Sequence, residues 1–197
     1  MVVSTKWSLL LVICTTFAAT TARADAACGG VKVPDRVQLG DKQLVRNGVG
    51  VRRATVFNVH VYVGALYLEQ RTPETKAALE PRRSKLLELH FVRDVSRAEM
   101  LEAMQEGVDK NAGAQLAAAR AAKEHMRSFE RYLPELHKGT VLRLAYTPGR
   151  GLEVRANGKL LGTEQNDDFA NLVFRIWLGE HPPDGKLKAQ LLGASCE

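Results

Sequence analysis

The chain has 197 residues, 45% of them hydrophobic and 25% charged, with 28 basic residues against 22 acidic ones. These values fit one globular domain with a sizeable core and exclude a low-complexity or collagen-like chain. The basic residues are scattered among acidic neighbours, so the positive surplus is a mild surface bias without a stripe suited to nucleic acid.

The opening "MVVSTKWSLLLVICTTFAATTARADAACGG" places Lys6 before an apolar run at 7–19 and the small-residue pattern Ala22-Arg23-Ala24 after it. That is the anatomy of a secretory signal peptide at 1–24, which predicts a periplasmic or secreted domain at 25–197. The run is shorter than the roughly 20 apolar residues of a spanning helix, so no stable membrane insertion is expected after cleavage. Neither Cys14 nor Cys28 lies in a lipid-attachment pattern. The mature chain keeps two cysteines, Cys28 and Cys196, one at each end. In an oxidising compartment they either bridge the termini or remain two free thiols at frayed ends.

"VKVPDRVQL" and "KQLVRNGVGVRRA" predict short strands broken by Pro34 and by Gly40, Gly48 and Gly50. The segment 56–68 is the strongest strand signal. Its odd positions, Phe57, Val59, Val61, Val63, Ala65 and Tyr67, are nearly all apolar and are expected to face a core. Its even positions start polar, with Asn58, His60 and Tyr62, and turn apolar at Leu66 and Leu68. A polar connection, "RTPETKAALEPRRSK", leads to a further strand in "LLELHFVRDV". Ser96 to Glu99 spells a capping box that opens a helix carrying Leu101, Met104 and Val108 and ending near Asn111. "AQLAAARAAKEHMRSFERYL" is a second helix, stopped by Pro134. Three strands follow, "TVLRLAYT", "GLEVRA" and "KLLGTEQ", with "PGRG" and Asn157-Gly158 as turns. "DDFANLVFRIWLG" is a last helix, with Asp167 and Asp168 at its start for capping and the helix dipole and Gly179 beyond its end. This order predicts an α+β fold, an antiparallel sheet with helices on one face.

The chemistry of several enzyme classes is missing. There is no nucleophile elbow, phosphate loop, dinucleotide fingerprint or zinc-type spacing of His and Cys, so no cofactor and no metal are expected. The histidines His60, His90, His125, His137 and His181 are spread over different elements; His60 and His90 fall on neighbouring strands but lack further ligands.

What remains is "GVGVRRATVFNVHVYVGALYLE". If its two strands are adjacent, Arg52, Asn58 and Tyr62 line one cavity. An arginine in an apolar cleft calls for an anion, and its planar fork suits a carboxylate or a phenolate, with a tyrosine hydroxyl as a second donor. The alternative is a solvated edge arginine beside an ordinary strand aromatic.

"GVGVR", "VHVYVGALYLE" and the carboxyl-terminal "FRIWLGEHPPDGKLKAQLLG" resemble the chalcone isomerase superfamily, in particular its exported bacterial chalcone isomerase-like members, over roughly 31–193. The resemblance implies an open-faced β-sandwich, a large antiparallel sheet covered by helices with a cleft between them. Plant members close a phenolate onto an enone in an intramolecular oxa-Michael addition. Related members are fatty-acid-binding proteins that hold a carboxylate in the same cleft. Both use the arginine that matches Arg52. On the following strand the enzymes have a threonine and the fatty-acid binders a tyrosine at the equivalent place; this sequence has Tyr62 there. The enzymes' helix tyrosine has no counterpart in "SRAEMLEAM", their asparagine is answered at best by Asn111, and their last hydroxyl residue falls near Ala170. The resemblance therefore implies a non-catalytic protein holding a fatty acid or similar apolar carboxylate through Arg52 and Tyr62, with Asn58 as a further contact and Leu101, Met104, Val108, Leu172 and Phe174 along the tail. An isomerase acting on a phenolic enone, with Arg52 as its catalytic residue, is the alternative. A domain whose cleft is filled by its own side chains is a third.

Overall fold

The computed structural model describes residues 26–54, 57–112 and 116–196; the expected signal peptide lies outside the described residues. A ribbon of β1 (Ala26–Cys28) and β2 (Val31–Val33) comes first. One antiparallel sheet follows, in which neighbours in space are neighbours in sequence: β3 (Arg36–Leu39), β4 (Lys42–Ala54), β5 (Val59–Leu68), β6 (Lys85–Phe91), β7 (Val141–Thr147), β8 (Gly151–Ala156) and β9 (Lys159–Glu164). A single turn of helix, α1 (Thr75–Ala78), joins β5 to β6. The helices α2 (Arg97–Asn111) and α3 (Leu116–Glu130) lie between β6 and β7, and α4 (Asp167–Leu178) and α5 (Gly185–Leu191) close the chain. The architecture is the expected α+β one.

Both faces of the sheet are covered. On one, Leu66, Leu87, Leu89 and Leu144 belong to a core with Met104, Val108, Phe129 and Phe174 from the helices. On the other, Val51, Val63, Tyr67 and Leu86 form a second core with Cys28 and Val33 of the ribbon. Cys28 and Cys196 are bonded to each other across a sequence separation of 168, which ties that ribbon to the carboxyl-terminal end.

Local chemistry explains most element boundaries. Ser96 accepts from the Glu99 backbone N–H while the Glu99 carboxylate accepts from the Ser96 N–H, the reciprocal capping box that starts α2. Asn157 and Gly158 both have positive φ, 48° and 83°, as a two-residue hairpin turn requires. The cap of α4 is Asn166, whose side chain accepts from Phe169 N at 2.8 Å, and neither Asp167 nor Asp168. The aspartates occupy the first turn, where the helix dipole favours them, and Asp167 also accepts from Gly149 N.

The glycines of β4 do not break it. Thirteen residues run as one strand through Gly48 and Gly50, because these positions are where α5 lies directly on the sheet. A Cβ at Gly48 would overlap the Gln190 carbonyl oxygen, and one at Gly50 would come within 2.5 Å of the Gln190 side chain. The helix α5 was not expected from apolar spacing; Asp184 starts it by accepting from Leu187 N at 3.0 Å.

The first residue of β6 is a buried charge. Lys85 is fully buried, and its ammonium donates to the Glu80 carbonyl and to Asn171 Oδ1, each at 3.0 Å. It also sits over the rings of Tyr146 and Phe174, 5.3 and 5.7 Å from their centroids. Burial pushes its pKa down from 10.5 to about 8, against the opposing charge of Glu80.

Two outcomes follow from this packing. Gly48→Ala should destabilise by at least about 3 kcal/mol in denaturant unfolding, since the overlapping atom is backbone and cannot rotate away. Lys85 should make stability rise with pH between about 8 and 10.5. There the unfolded chain holds a proton that the folded chain has released, and the full effect is about 3 kcal/mol. Above pH 10 the buried Tyr62 and Tyr146, both pushed up to about 12, act in the opposite sense because the unfolded tyrosines ionise first. The urea midpoint should therefore climb from pH 7.5 to 9.5, and Lys85→Met should flatten that climb.

Candidate ligand-binding site

The strands β4 and β5 pair so that Arg52 and Tyr62 are directly opposite each other, both on the helix side of the sheet. One step further the register shifts: Arg53 pairs with His60, and Val61 is left as the extra residue of a bulge. The bulge turns Val61 to the same side as Tyr62, so the two consecutive residues line one cavity. It also explains why odd positions fail to mark a single core face. Val63, Ala65 and Tyr67 are buried on the ribbon side, whereas Val59 and Phe57, beyond the bulge, are 41% and 84% exposed. Strand β5 begins only at Val59.

The cavity has a volume of about 170 Å³ and lies between the β4–β6 end of the sheet and the helices α2 and α4. Val61 and Phe91 on the sheet, Met100 and Met104 on α2, and Ile176 and Trp177 on α4 make its apolar wall. Arg52, Arg93 and Glu99 contribute the charged groups. A larger cavity of about 380 Å³ is lined by residues such as Pro81, His125, Asp168 and Arg175, with no strand residue in its walls among the described residues.

Tyr62 is buried, and its ring meets that of Phe91 edge-on at 5.5 Å. Its oxygen accepts from Trp177 Nε1 at 2.8 Å. Burial pushes the phenol up to about 12, with the Trp177 N–H and the Arg52 charge opposing and Asp184 adding to the rise. Tyr62 is thus a neutral phenol at physiological pH. Among the described residues none accepts its O–H, which leaves it a donor for a bound anion.

Arg52 is held at one nitrogen. Its Nη1 donates to the Arg53 carbonyl and lies 3.8 Å from Asp184 Oδ2. That carboxylate is shared, since Oδ1 caps α5 and Oδ2 accepts from Arg53 N at 3.1 Å. Among the described residues no acceptor engages Nη2 or Nε of Arg52. The guanidinium is therefore anchored without its planar fork being spent, and that fork with the Tyr62 O–H forms a donor set of the shape a carboxylate accepts.

The other expected contacts are placed elsewhere. Asn58 is exposed, with a φ of 53°, at the turn between β4 and β5. An asparagine tolerates that left-handed backbone, and this is its role. Asn111 is committed to structure: it donates to the carbonyls of Gly107 and His181 and accepts from His181 N. Ala170 is core. Of the expected apolar lining only Met104 faces the cavity; Val108 and Phe174 are buried in the core beyond it, Leu101 is half-buried, and Leu172 lines the larger cavity. His60 is exposed, His90 bonds Glu88, and among the described residues no group of His, Cys, Asp and Glu is placed to hold a metal. Trp177 is the residue of the candidate site that apolar spacing missed. Its signal was an indole N–H on a helix otherwise apolar around it, which demands a buried acceptor.

The Tyr62–Trp177 bond should be measurable. Tyr62→Phe leaves the indole N–H buried without an acceptor and should cost about 1–3 kcal/mol. In a double-mutant cycle with Trp177→Phe, urea unfolding should give a coupling of about 1 kcal/mol.

The family described as chalcone isomerase-like matches residues 25–193. Among solved structures, a fatty-acid binding protein of Arabidopsis thaliana superposes with a TM-score of 0.67 at 18% identity, over 83% of this chain and 92% of that one. No curated protein sequence matches.

Proposed function

Because the chain belongs to the chalcone isomerase-like family, we propose that it is a non-catalytic binding protein that holds a fatty acid or similar apolar carboxylate between sheet and helices. Arg52 and Tyr62 grip the head, and the wall formed by Val61, Phe91, Met100, Met104 and Ile176 takes the tail. The observation that carries this reading is the pairing of a guanidinium with an uncommitted fork and a neutral phenol in the wall of a mainly apolar cavity. A carboxylate accepts from both, and the apolar wall rewards burial of its chain. The solved relative named as a fatty-acid binding protein shares the fold.

The chain is exported under the same proposal. The pattern at 1–24 supports it, and so does the cystine joining Cys28 to Cys196, a bond that persists in oxidising compartments.

Titration of delipidated protein with octanoate should give saturable binding that Arg52→Ala weakens at least tenfold. Unchanged affinity in Arg52→Ala would sink the assignment of the head-group site. Cyclisation of a hydroxychalcone above its spontaneous rate, lost in Arg52→Ala, would overturn the non-catalytic reading.

A further inference from the structure

Resting on that assignment of the site, we infer that the ligand is a short carboxylate, a straight chain of about eight carbons or an arylalkanoate of similar bulk, and that long-chain fatty acids gain nothing from their extra length. The argument is one of volume. A closed apolar cavity of about 150 Å³ accommodates a molecule the size of benzene. The cavity beside Arg52, at about 170 Å³, has room for roughly seven non-hydrogen atoms on that scale, the head group among them, so a carboxylate of about eight carbons already fills it. Pockets that enclose drug-sized ligands start near 300 Å³.

The walls that set this limit are fixed by packing. Helix α2 sits tightly against α4 at Gly107, where a Cβ would come within 2.6 Å of Ile176 Cγ2. That approach holds Met100, Ala103 and Met104 down toward the sheet on one side of the cavity. On another side Trp177 is pinned by its bond to Tyr62, so its indole cannot swing aside without leaving a buried N–H unpaired. Phe91 is braced edge-on against the Tyr62 ring. The aromatic character of these walls matches an aryl group as well as an alkyl chain. A tail longer than the cavity would extend past the Arg93 and Glu99 rim into water, where further methylenes bury no surface.

The test is calorimetric titration of the delipidated protein with straight-chain carboxylates of four to sixteen carbons, kept below their micelle concentrations, and with 3-phenylpropanoate. Affinity should rise about fourfold per methylene up to about eight carbons and then level off or fall. 3-Phenylpropanoate should bind within a few-fold of the best straight chain. Met104→Ala should move the break two to three carbons longer, while Met104→Leu, which keeps the wall's volume and reports on folding, should leave it in place. Affinity that keeps climbing through twelve and sixteen carbons overturns the length limit and leaves the carboxylate site standing. Failure of carboxylates of every length to bind removes the site itself, and the limit with it.

Discussion

The fold hangs on the direct contact of α5 with β4. At Gly48 and Gly50 the sheet has no side chains on its helix face, and the backbone and side chain of Gln190 occupy that space. From this seat Gln190 Oε1 accepts from Val51 N, and the Leu191 carbonyl accepts from Asn47 Nδ2. The start of α5 delivers Asp184 to the end of β4, where one carboxylate caps the helix, takes the Arg53 N–H and faces Arg52. The end of α5 carries the chain to Cys196 and its bond with Cys28. Two glycines thus decide where the last helix lies, how Arg52 is anchored and where the terminal cystine forms.

The site follows from a conflict between polarity and burial that is settled only in part. Arg52 is kept near the apolar cavity at a modest cost, since its side chain remains 23% exposed and one of its nitrogens is engaged by Asp184 and the Arg53 carbonyl. Tyr62 is deeper, and it stays neutral because a phenolate could not be solvated there. The Trp177 N–H satisfies the tyrosine oxygen and directs its remaining hydrogen-bonding capacity to a donor role. Lys85 shows the contrasting solution at the other end of β6. Its ammonium has two oxygen acceptors and two aromatic faces within the core, so it serves structure and is closed to ligands.

Much of the fold was legible because it rests on local rules. The capping box at Ser96 and Glu99, the Asn157-Gly158 turn and the meander at 140–165 are set by residues within a few positions of one another. The Arg52 and Tyr62 pair was legible through the resemblance of their strands, and the structure places the two as direct cross-strand partners. Asn58 was misplaced because alternation was extended through a turn that its own φ defines. The face assignment of Val59 failed at the bulge, since one extra residue reverses the inward and outward positions beyond it, and that of Phe57 failed because it lies in the turn before β5.

The chain alone carried the class of the fold and the order of its elements, since periodicity, caps and turn chemistry act over short stretches, while Arg52 and Tyr62 were singled out by family resemblance. Tertiary structure alone decided the bulge at Val61, the role of Gly48 and Gly50 as a seat for α5, the acceptor of the Trp177 N–H and the size of the cavity. The bulge depends on the register of two adjacent strands; the others depend on atoms from segments more than a hundred residues apart or on the closeness of two packed layers, and no local pattern carries that distance.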